Sequence, residues 1–386
     1  MNENIVDMSI VIDKDDLPGP RWNYYYMSEG DIFWKEYLLE NNKDILFILG
    51  LGFDPRMCIA YEKIVRYNGN GVIDCLVINF SEGEGSPSQK YSHLVKINEV
   101  KLNKLIPINS KRINKYVEML SEDNIRIGSR QSLNTIQSFS EILKYNDIIV
   151  DISALPRGIY FPLIGSLLYL IDNNKTNDKK INLHVIVSEN VEIDKKIIDL
   201  GIDEFANYIP GYSSSLESTT HEDKPKIWIP ILGENQEEQL VRIRNKVNPD
   251  EICPMIPISS VDPLRGDKLL ISYRNFLFDR LLIDPTNLLY ASEQNPFQVY
   301  RVLYRTIKHY KQTLKPLKGC QIAISASSSK LLSIGALLCA YELKNFGIGV
   351  VNVETLGYQI IDEKNLFLEI PNTKFFTLWI AGDCYE

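Results

Sequence analysis

An acid and an arginine stand two residues apart directly after an apolar run that ends in glycines. The segment is LFILGLGFDPRM, residues 46–57, and its polar pair is Asp54 and Arg56. Gly50 and Gly52 would let the backbone turn sharply and let a ligand approach closely. Asp54 could accept hydrogen bonds from a ribose or a base, and Arg56 could clamp a phosphate or pair with an acid. The alternative is a purely structural Asp54–Arg56 turn, with the intervening proline fixing its bend.

A second group of candidate ligand-binding residues is a serine-rich loop that ends in a lysine. Serine hydroxyls can donate to an anion without blocking its approach, and a lysine adds a positive point charge. A helix N-terminus offers unpaired backbone N–H groups and a positive dipole end, which attract phosphate or carboxylate. Capping of the helix that begins near the lysine explains the serines equally well. The residues are Ser325, Ser327, Ser328, Ser329 and Lys330.

A third group surrounds the end of the apolar segment DIIVDIS. Asp151 would be buried there and would need a partner, for which Arg157 or Arg56 is the expected residue. Ser153 follows two residues later, and Ser81 opens a separate glycine- and serine-rich loop, SEGEGSPSQ. All of these residues are predicted to share one rim. The glycine-rich segments are weak signals, because GLGFDP does not match the GxGxxG dinucleotide pattern.

Apolar segments of strand length alternate with helical segments, and this alternation predicts the elements that would position the candidate residues. Such a pattern indicates a parallel sheet covered by helices on both faces. Ligands bind beyond the carboxyl ends of the strands in sheets of this kind, where loops lead into helix N-termini. The predicted strands are residues 44–52, 71–80, 147–153, 181–189 and 226–233.

The second half of the chain partly repeats the first half. Residues 147–170, DIIVDISALPRGIYFPLIGSLLYL, and residues 320–343, CQIAISASSSKLLSIGALLCAYEL, both carry a strand, an Ile-Ser-Ala triplet and a polar loop. Each then continues into a helix with Ile-Gly, a small residue and Leu-Leu. This repetition predicts an internal duplication. The predicted fold class is therefore α/β, with two Rossmann-like parallel-sheet units in tandem.

The same pattern divides the chain into an aromatic lead-in, two domains and a connection. The lead-in spans residues 1–43, the first Rossmann-like domain 44–210, a polar linker 211–225, and the second Rossmann-like domain 226–386. The aromatic density of the lead-in indicates packing on a neighbouring surface, either of its own domain or of a partner chain. A base-stacking platform is the alternative.

Composition narrows the class of protein. The chain has 386 residues with a formal charge of −8, which argues against a broad nucleic-acid footprint but leaves local basic pockets open. Neither a signal-peptide pattern nor an apolar run of about 20 residues is found, so a cytoplasmic protein without a membrane span is expected. The six cysteines are scattered, without metal-ligand spacing, and neither a metal nor a cofactor is expected.

The two repeated loops resemble those of CRISPR-associated Rossmann-fold (CARF) sensor domains and of related paired sensor domains in cyclic-oligonucleotide defence systems. In those families a loop after the first strand and a Gly/Ser/Thr-rich loop ending in lysine hold a nucleotide's phosphates. Residues 327–330 match the later loop in the second half, and 154–157 occupy its position in the first. The first copy has Pro and Arg where the families prefer small residues and Lys. The resemblance covers roughly 44–189 and 226–358.

The sequence contains no Walker A loop, GxSxG elbow, HExxH motif or Cys–His pairing, which favours a binding protein over an enzyme. Together with the resemblance, this predicts a sensor of a nucleotide or nucleotide-derived signal in a prokaryotic antiviral system. It would act with a partner chain or as a homo-oligomer. One alternative is an enzyme acting on a nucleotide or phosphorylated metabolite, with Asp54 or Asp151 as general acid/base and Arg56 as electrostatic stabiliser. Another is a structural assembly subunit.

Overall fold

The computed structural model describes most of the chain, apart from its first residues and several short internal segments. The described residues are 17–39, 42–83, 85–123, 125–174, 179–213, 216 and 224–385. Most of the predicted linker, 211–225, and the first sixteen residues of the lead-in lie outside these ranges. The described part forms two sheets, a short two-stranded ribbon and flanking helices.

The first sheet has seven strands. Five neighbouring strands are parallel, the next strand is antiparallel to them, and the strand at that edge is antiparallel to its neighbour. Its strands are β1 (Tyr26–Glu29), β2 (Ile45–Leu51), β3 (Ile73–Ser81), β4 (Arg112–Glu118), β5 (Asp147–Asp151), β6 (Asn182–Glu189) and β16 (Lys374–Ala381). Their spatial order is β4-β3-β2-β5-β6-β16-β1. Strands β2 and β5 are fully buried, as expected for central strands of a parallel sheet covered on both faces. The pairs β6–β16 and β16–β1 are antiparallel.

The second sheet repeats this arrangement. Its strands are β8 (Asn207–Tyr208), β9 (Lys226–Ile231), β10 (Glu251–Ile252), β11 (Met255–Ile258), β12 (Leu289–Ser292), β13 (Gln321–Ala326) and β14 (Ile348–Asn352). The order is β12-β11-β9-β13-β14-β8, and β10 pairs with β9 beside this path. Strand β8 is antiparallel to β14, whereas the other pairs are parallel.

Helices connect the parallel strands and cover the sheets. Those of the first half are α1 (Ile32–Leu39), α2 (Ile59–Tyr67), α3 (Ser92–Leu105), α4 (Gly128–Leu133), α5 (Phe139–Ile142), α6 (Arg157–Asn173) and α7 (Val191–Lys196). Those of the second half are α8 (Glu237–Val247), α9 (Arg265–Ser272), α10 (Pro296–Thr313) and α11 (Lys330–Glu342). Helices α6 and α11 are apolar on nearly every side, which is typical of helices buried in a core.

The two units share one strand order, and this confirms the predicted fold class. In each unit the first parallel strand lies between the second and the fourth, which gives the order third-second-first-fourth-fifth. Apart from a sixth strand, that is the Rossmann order, 3-2-1-4-5-6. Strands β5 and β13 are the fourth strands of their units, so Ser153 and Ser325 belong to equivalent strands or to the loop directly after them.

Each sheet contains an antiparallel strand from the other half of the chain. Strand β8 falls within the predicted first domain, 44–210, but pairs with β14 of the second sheet. Strand β16 falls within the predicted second domain, 226–386, but pairs with β6 of the first sheet. Strands β7 (Ile197–Asp199) and β15 (Tyr358–Ile360) form a separate antiparallel ribbon, with one strand from each half of the chain. The sheets are therefore not built from two consecutive stretches of sequence.

The aromatic lead-in packs on both units of its own chain. The Trp22 indole donates a 3.0 Å hydrogen bond to the Ile380 carbonyl oxygen beside the first sheet. Its ring also meets Tyr300 of α10 edge-on, with centroids 5.4 Å apart. Tyr25 stacks on Phe297 at 4.3 Å. Together with the core shared by α6, α10 and α11, these contacts hold the two units together.

Three further properties concern the part of the chain that the structure describes. None of its helices is long and apolar enough to cross a membrane. No cluster of His, Cys, Asp and Glu side chains in it could hold a metal ion. The six cysteines are free; five are buried and Cys384 is exposed.

Candidate functional site

A cavity of about 570 Å³ lies at the carboxyl ends of the first unit's strands, and loops of the second unit form part of its wall. The first unit contributes the loops after β2, β3, β5 and β6. The second unit contributes the loops after β13 and β14. A cavity of this size at the carboxyl edge of a parallel sheet is the usual place and volume for a small-molecule site.

All but three of the predicted ligand-binding residues line this cavity. Those that do are Gly52, Asp54, Arg56, Ser81, Ser153, Arg157, Ser327, Ser328, Ser329 and Lys330. The other three, Gly50, Asp151 and Ser325, have packing or support roles. A Cβ on Gly50 would lie 2.5 Å from Leu155 Cδ2, so this glycine lets the loop after β5 pack on β2. Ser325 accepts a 3.0 Å hydrogen bond from the Trp228 indole inside the second unit.

Asp151 lies below the cavity floor and has no arginine partner, contrary to the sequence expectation. The backbone N–H of Ser153 donates a 2.9 Å hydrogen bond to Asp151 Oδ1, and the Ser153 hydroxyl also donates to it. Its Oδ2 has no hydrogen-bond partner among the described residues. Burial raises the pKa of Asp151 to about 6, although the Ser153 hydrogen bonds oppose the shift. The two arginines do not pair with Asp151, because Arg56 binds other carboxylates and Arg157 binds a backbone carbonyl oxygen.

Asp54 and Arg56 bind each other. Asp54 caps the 3₁₀ turn Pro55–Cys58, since its Oδ1 accepts a 2.9 Å hydrogen bond from the Arg56 backbone N–H. The Arg56 guanidinium lies 2.7 Å from Asp54 Oδ2 and 2.8 Å from Asp194 Oδ1. Burial alone would raise the pKa of Asp54, but the guanidinium outweighs it and the pKa is lowered. The structural turn considered for this pair is present, and both residues also line the cavity.

Two basic residues donate hydrogen bonds from one unit to the other, in opposite directions. Lys330, at the start of α11, donates a 2.8 Å hydrogen bond to the carbonyl oxygen of Ile152, just after β5. Arg157, at the start of α6, donates a 2.9 Å hydrogen bond to the carbonyl oxygen of Ser328, just after β13. Burial, and then the neighbouring Arg56, lower the pKa of Lys330 to about 8. Both cations therefore join the two loops while lining the cavity.

The serine loop before α11 combines capping with an unused polar group. Ser329 is the N-cap of α11, and its hydroxyl accepts a 3.4 Å hydrogen bond from the Leu332 N–H. Ser327 is 8% exposed and lines the cavity, and its Oγ has no partner among the described residues. An unsatisfied buried hydroxyl costs free energy unless a ligand or water binds it.

Several carboxylates of the cavity wall were not predicted from the sequence. Glu189 ends β6, and burial together with the nearby Asp194 raises its pKa to about 8. Glu354 follows β14, and burial raises its pKa as well. The carboxyl-edge rule could have identified Glu189, because it ends a predicted strand. No sequence signal marks Glu354, or Asp199 of the β7–β15 ribbon, since the ribbon itself was not predicted.

Aromatic side chains form another part of the wall. Phe53, Phe80 and Tyr358 all line the cavity. Phe53 packs against Tyr91 at 5.2 Å and Tyr358 at 6.2 Å between ring centroids, so its ring is held from two sides. The cavity thus has a region of helix N-terminus and serines, and a second region of aromatic rings and carboxylates.

Comparison with known proteins does not assign the chain to a family. No family model matches it, and no curated protein matches it in sequence. Solved structures similar to it include a putative universal stress protein from Pseudomonas aeruginosa UCBPP-PA14. That match has 10% identity and a TM-score of 0.20, and covers 80% of this chain and 92% of the other.

Two other similar structures lie in the same range. A universal stress protein from Archaeoglobus fulgidus DSM 4304 has 8% identity and a TM-score of 0.22, over 81% of this chain and 97% of the other. The cytoplasmic domain of a prokaryotic cation chloride cotransporter has 12% identity and a TM-score of 0.20, over 84% and 99%. Likeness at these scores carries no inference about function.

Proposed function

We propose that the protein binds a nucleotide or a nucleotide-derived signal in the cavity between its two Rossmann-like units. The observation that carries this proposal is the loop before α11. It places the Ser327 hydroxyl, which has no partner within the described part of the chain, the N-terminus of a 13-residue helix and Lys330 on one side of the cavity. Backbone N–H groups at a helix N-terminus, a free hydroxyl and an ammonium group together suit a phosphate.

The remaining wall suits the base and sugar of the same ligand. Phe53 and Tyr358 offer aromatic surface on which a base can pack. Glu82 and Ser81, from the loop after β3, offer an acceptor and a hydroxyl for ribose or base groups. A ligand that combines an anion, an aromatic ring and several hydroxyls matches both regions of the wall.

The contacts of the acidic residues favour binding over catalysis. The enzyme alternative assigned acid/base roles to Asp54 or Asp151 and electrostatic stabilisation to Arg56. Asp54 and Arg56 are occupied with each other, and Asp151 lies outside the cavity beneath Ser153. A general base must come within hydrogen-bond distance of the proton that it removes. In this arrangement none of the three is free to act on a ligand.

We further propose that this binding serves a prokaryotic antiviral defence system, in which the protein is a sensor acting with a partner chain or as a homo-oligomer. The support for this step is the resemblance of residues 327–330 and 154–157 to the loops of CARF-type sensor domains. The cavity wall adds a physical basis for signalling, because a ligand bound there would contact loops from both halves of the chain.

The decisive experiment identifies what the protein carries from cells. Purified protein is denatured, and the released small molecules are analysed by mass spectrometry. A nucleotide recovered unchanged, and rebinding to the protein on titration calorimetry, would support the proposal. Conversion of the added nucleotide into a new product would favour the enzyme, and no release or binding of any nucleotide would refute the proposal.

A further inference from the structure

The two helix N-termini that meet at the cavity differ in one respect. At α6, a carboxylate of the protein already lies beside the first turn of the helix. Glu354 from the second unit lies against Gly158, the second residue of α6, and a Cβ on Gly158 would be only 2.4 Å from Glu354 Oε1. A carboxylate is favourable there because of the helix dipole. Asn352 holds it in place, with a 3.1 Å hydrogen bond from Nδ2 to Oε1.

At α11, no carboxylate occupies the equivalent place among the described residues. The groups in its first turn and the preceding loop are the buried Ser327 hydroxyl, which has no partner, and the Lys330 ammonium. The cavity therefore has a carboxylate of the protein, Glu354, beside α6. At the start of α11 it has hydrogen-bond donors that would face the anionic group of a ligand.

The charges of the lining residues limit how many anions the cavity can hold. Six acidic side chains face three basic ones among the described residues that line it. One base, Arg56, is neutralised by Asp54 and Asp194. The acidic residues are Asp54, Glu82, Glu189, Asp194, Asp199 and Glu354, of which Glu189 is mostly protonated at neutral pH because burial raises its pKa to about 8; the basic residues are Arg56, Arg157 and Lys330. Added phosphates beyond the first would meet carboxylates in a partly desolvated site, where like charges repel strongly.

We infer that the ligand of this cavity carries a single phosphate, so that the site selects a nucleoside monophosphate and rejects the corresponding di- and triphosphates. This inference rests on the proposed function, since it concerns the same cavity. The Glu354 carboxylate sets the selectivity because its negative charge lies beside the first turn of α6. Ser327 and the α11 N-terminus bind the one phosphate.

Titration calorimetry in EDTA with the mono-, di- and triphosphates of each common nucleoside tests the selectivity. For the base that binds best, the monophosphate is expected to bind at least tenfold more tightly than the triphosphate. A triphosphate that binds equally well or better overturns the inference but leaves nucleotide binding intact. If no nucleoside phosphate of any length binds, the proposed function fails as well.

Two variants test the assigned groups. Glu354→Gln removes the negative charge beside α6 and is expected to narrow the preference for the monophosphate by threefold or more. Glu118→Gln, at an exposed glutamate of β4 outside the cavity, is the matched control and should leave the preference unchanged. An unchanged preference in Glu354→Gln would overturn the role of this carboxylate.

Ser327→Ala provides an independent measurement should Glu354→Gln fail to fold. It is expected to weaken monophosphate binding threefold to tenfold while leaving binding of the unphosphorylated nucleoside unchanged. Equal loss for both ligands, or loss for neither, would show that Ser327 does not contact a phosphate.

Discussion

The Lys330 ammonium of the second unit donates a 2.8 Å hydrogen bond to the Ile152 carbonyl oxygen of the first unit. Arg157 makes the opposite crossing, to the Ser328 carbonyl oxygen. Each cation stands at the start of a helix that follows the fourth strand of its unit. The loops that surround the cavity are thus also the loops that join the units, so the proposed ligand would contact residues that hold the units together.

Lys330→Ala is expected to lower both stability and affinity. Loss of a hydrogen bond from a charged donor should reduce the free energy of unfolding by about 1.5–3 kcal/mol. Chemical denaturation would measure this, with Lys35→Ala, at an exposed lysine of α1, as the control. Nucleotide affinity should fall in the same variant. Wild-type stability in Lys330→Ala would show that the hydrogen bond from Lys330 to the first unit contributes nothing to the association of the units.

The two glycines at the end of β2 should respond differently to alanine. A Cβ on Gly50 would lie 2.5 Å from Leu155 Cδ2 and 3.3 Å from the Ala154 carbonyl oxygen, inside the core. Overpacking of this kind typically costs about 1–3 kcal/mol. A Cβ on Gly52 would make only ordinary van der Waals contacts, the nearest with Phe80 Cζ at 3.5 Å, and the residue lines the cavity.

We therefore expect Gly50→Ala to lower the melting temperature and Gly52→Ala to leave it nearly unchanged. Gly52→Val should keep the fold but obstruct the cavity and weaken ligand binding. Thermal melts and ligand titration of the three variants would separate the two roles. Equal destabilisation by alanine at both positions would contradict the assignment of Gly50 to packing and Gly52 to the cavity.

Arg56→Ala should strongly destabilise the fold, because the buried Arg56 neutralises the largely buried Asp54. Removing one partner of a buried pair usually costs about 3–5 kcal/mol. The matched control is Arg66→Ala, since Arg66 makes an exposed pair with Glu62 that should contribute less than about 1 kcal/mol. Adding Asp54→Asn to Arg56→Ala should recover part of the loss, and denaturant titrations of the double-mutant cycle would measure the coupling. Additive effects would argue against the pair.

Glu189 should make the protein less stable as the pH rises from about 4.5 to about 8. Burial and Asp194 raise the pKa of Glu189 to about 8 in the folded protein, whereas an unfolded glutamate titrates near 4.5. Between these values the folded state binds more protons, so stability is highest below the unfolded pKa and is lost up to the folded pKa. The slope from one such group is at most about 1.4 kcal/mol per pH unit.

Glu189→Gln removes this titration and isolates it from the other groups. The difference in unfolding free energy between the variant and the wild-type protein should change steadily between pH 5 and pH 8. Glu118→Gln should show a constant difference over the same range. A constant difference for Glu189→Gln as well would mean that this carboxyl titrates normally in the folded protein.

The sequence predicted six of the parallel strands, β2, β3, β5, β6, β9 and β13, because their signal is local, but it did not identify β4, β10, β11, β12 or β14. Uninterrupted apolar runs such as residues 44–52 are expected to be buried. The repeated Ile-Ser-Ala and Ile-Gly patterns identified β5 and β13 as equivalent strands, and α6 and α11 as equivalent helices. The loops after these strands follow from the geometry of a parallel sheet, so most of the predicted site residues line the cavity.

Pairing between distant segments could not be predicted in the same way. The sequence does not show that Arg157 contacts Ser328, or that Asp151 is held by Ser153 instead of by an arginine. Glu354 has an acidic side chain in a loop, a common pattern that gives no sign of the helix it approaches. These contacts depend on how the units meet, which is decided by the whole fold.

The exchange of the antiparallel strands β8 and β16 between the units leads to a last prediction, that the first unit does not fold from residues 1–210 alone. Strand β16 pairs with β6 from Lys374 opposite Glu189 to Ala381 opposite Leu183. Four of its large apolar side chains are buried, and at roughly 1.5–3 kcal/mol each their burial is comparable to the whole stability of a typical domain. They are Phe375, Phe376, Leu378 and Ile380.

A fragment of residues 1–210 should therefore lack a cooperative unfolding transition, because the β6 edge and the surface beneath β16 would be exposed. The same fragment with residues 374–385 attached through a flexible linker should recover a cooperative transition in thermal melts. Leu378→Pro within the attached segment is the matched control, since proline cannot donate the ladder hydrogen bond and the large side chain is lost. It should abolish the recovery. Cooperative unfolding of residues 1–210 without the segment would show that the exchanged strand is dispensable, and that each half of the chain can complete its own sheet.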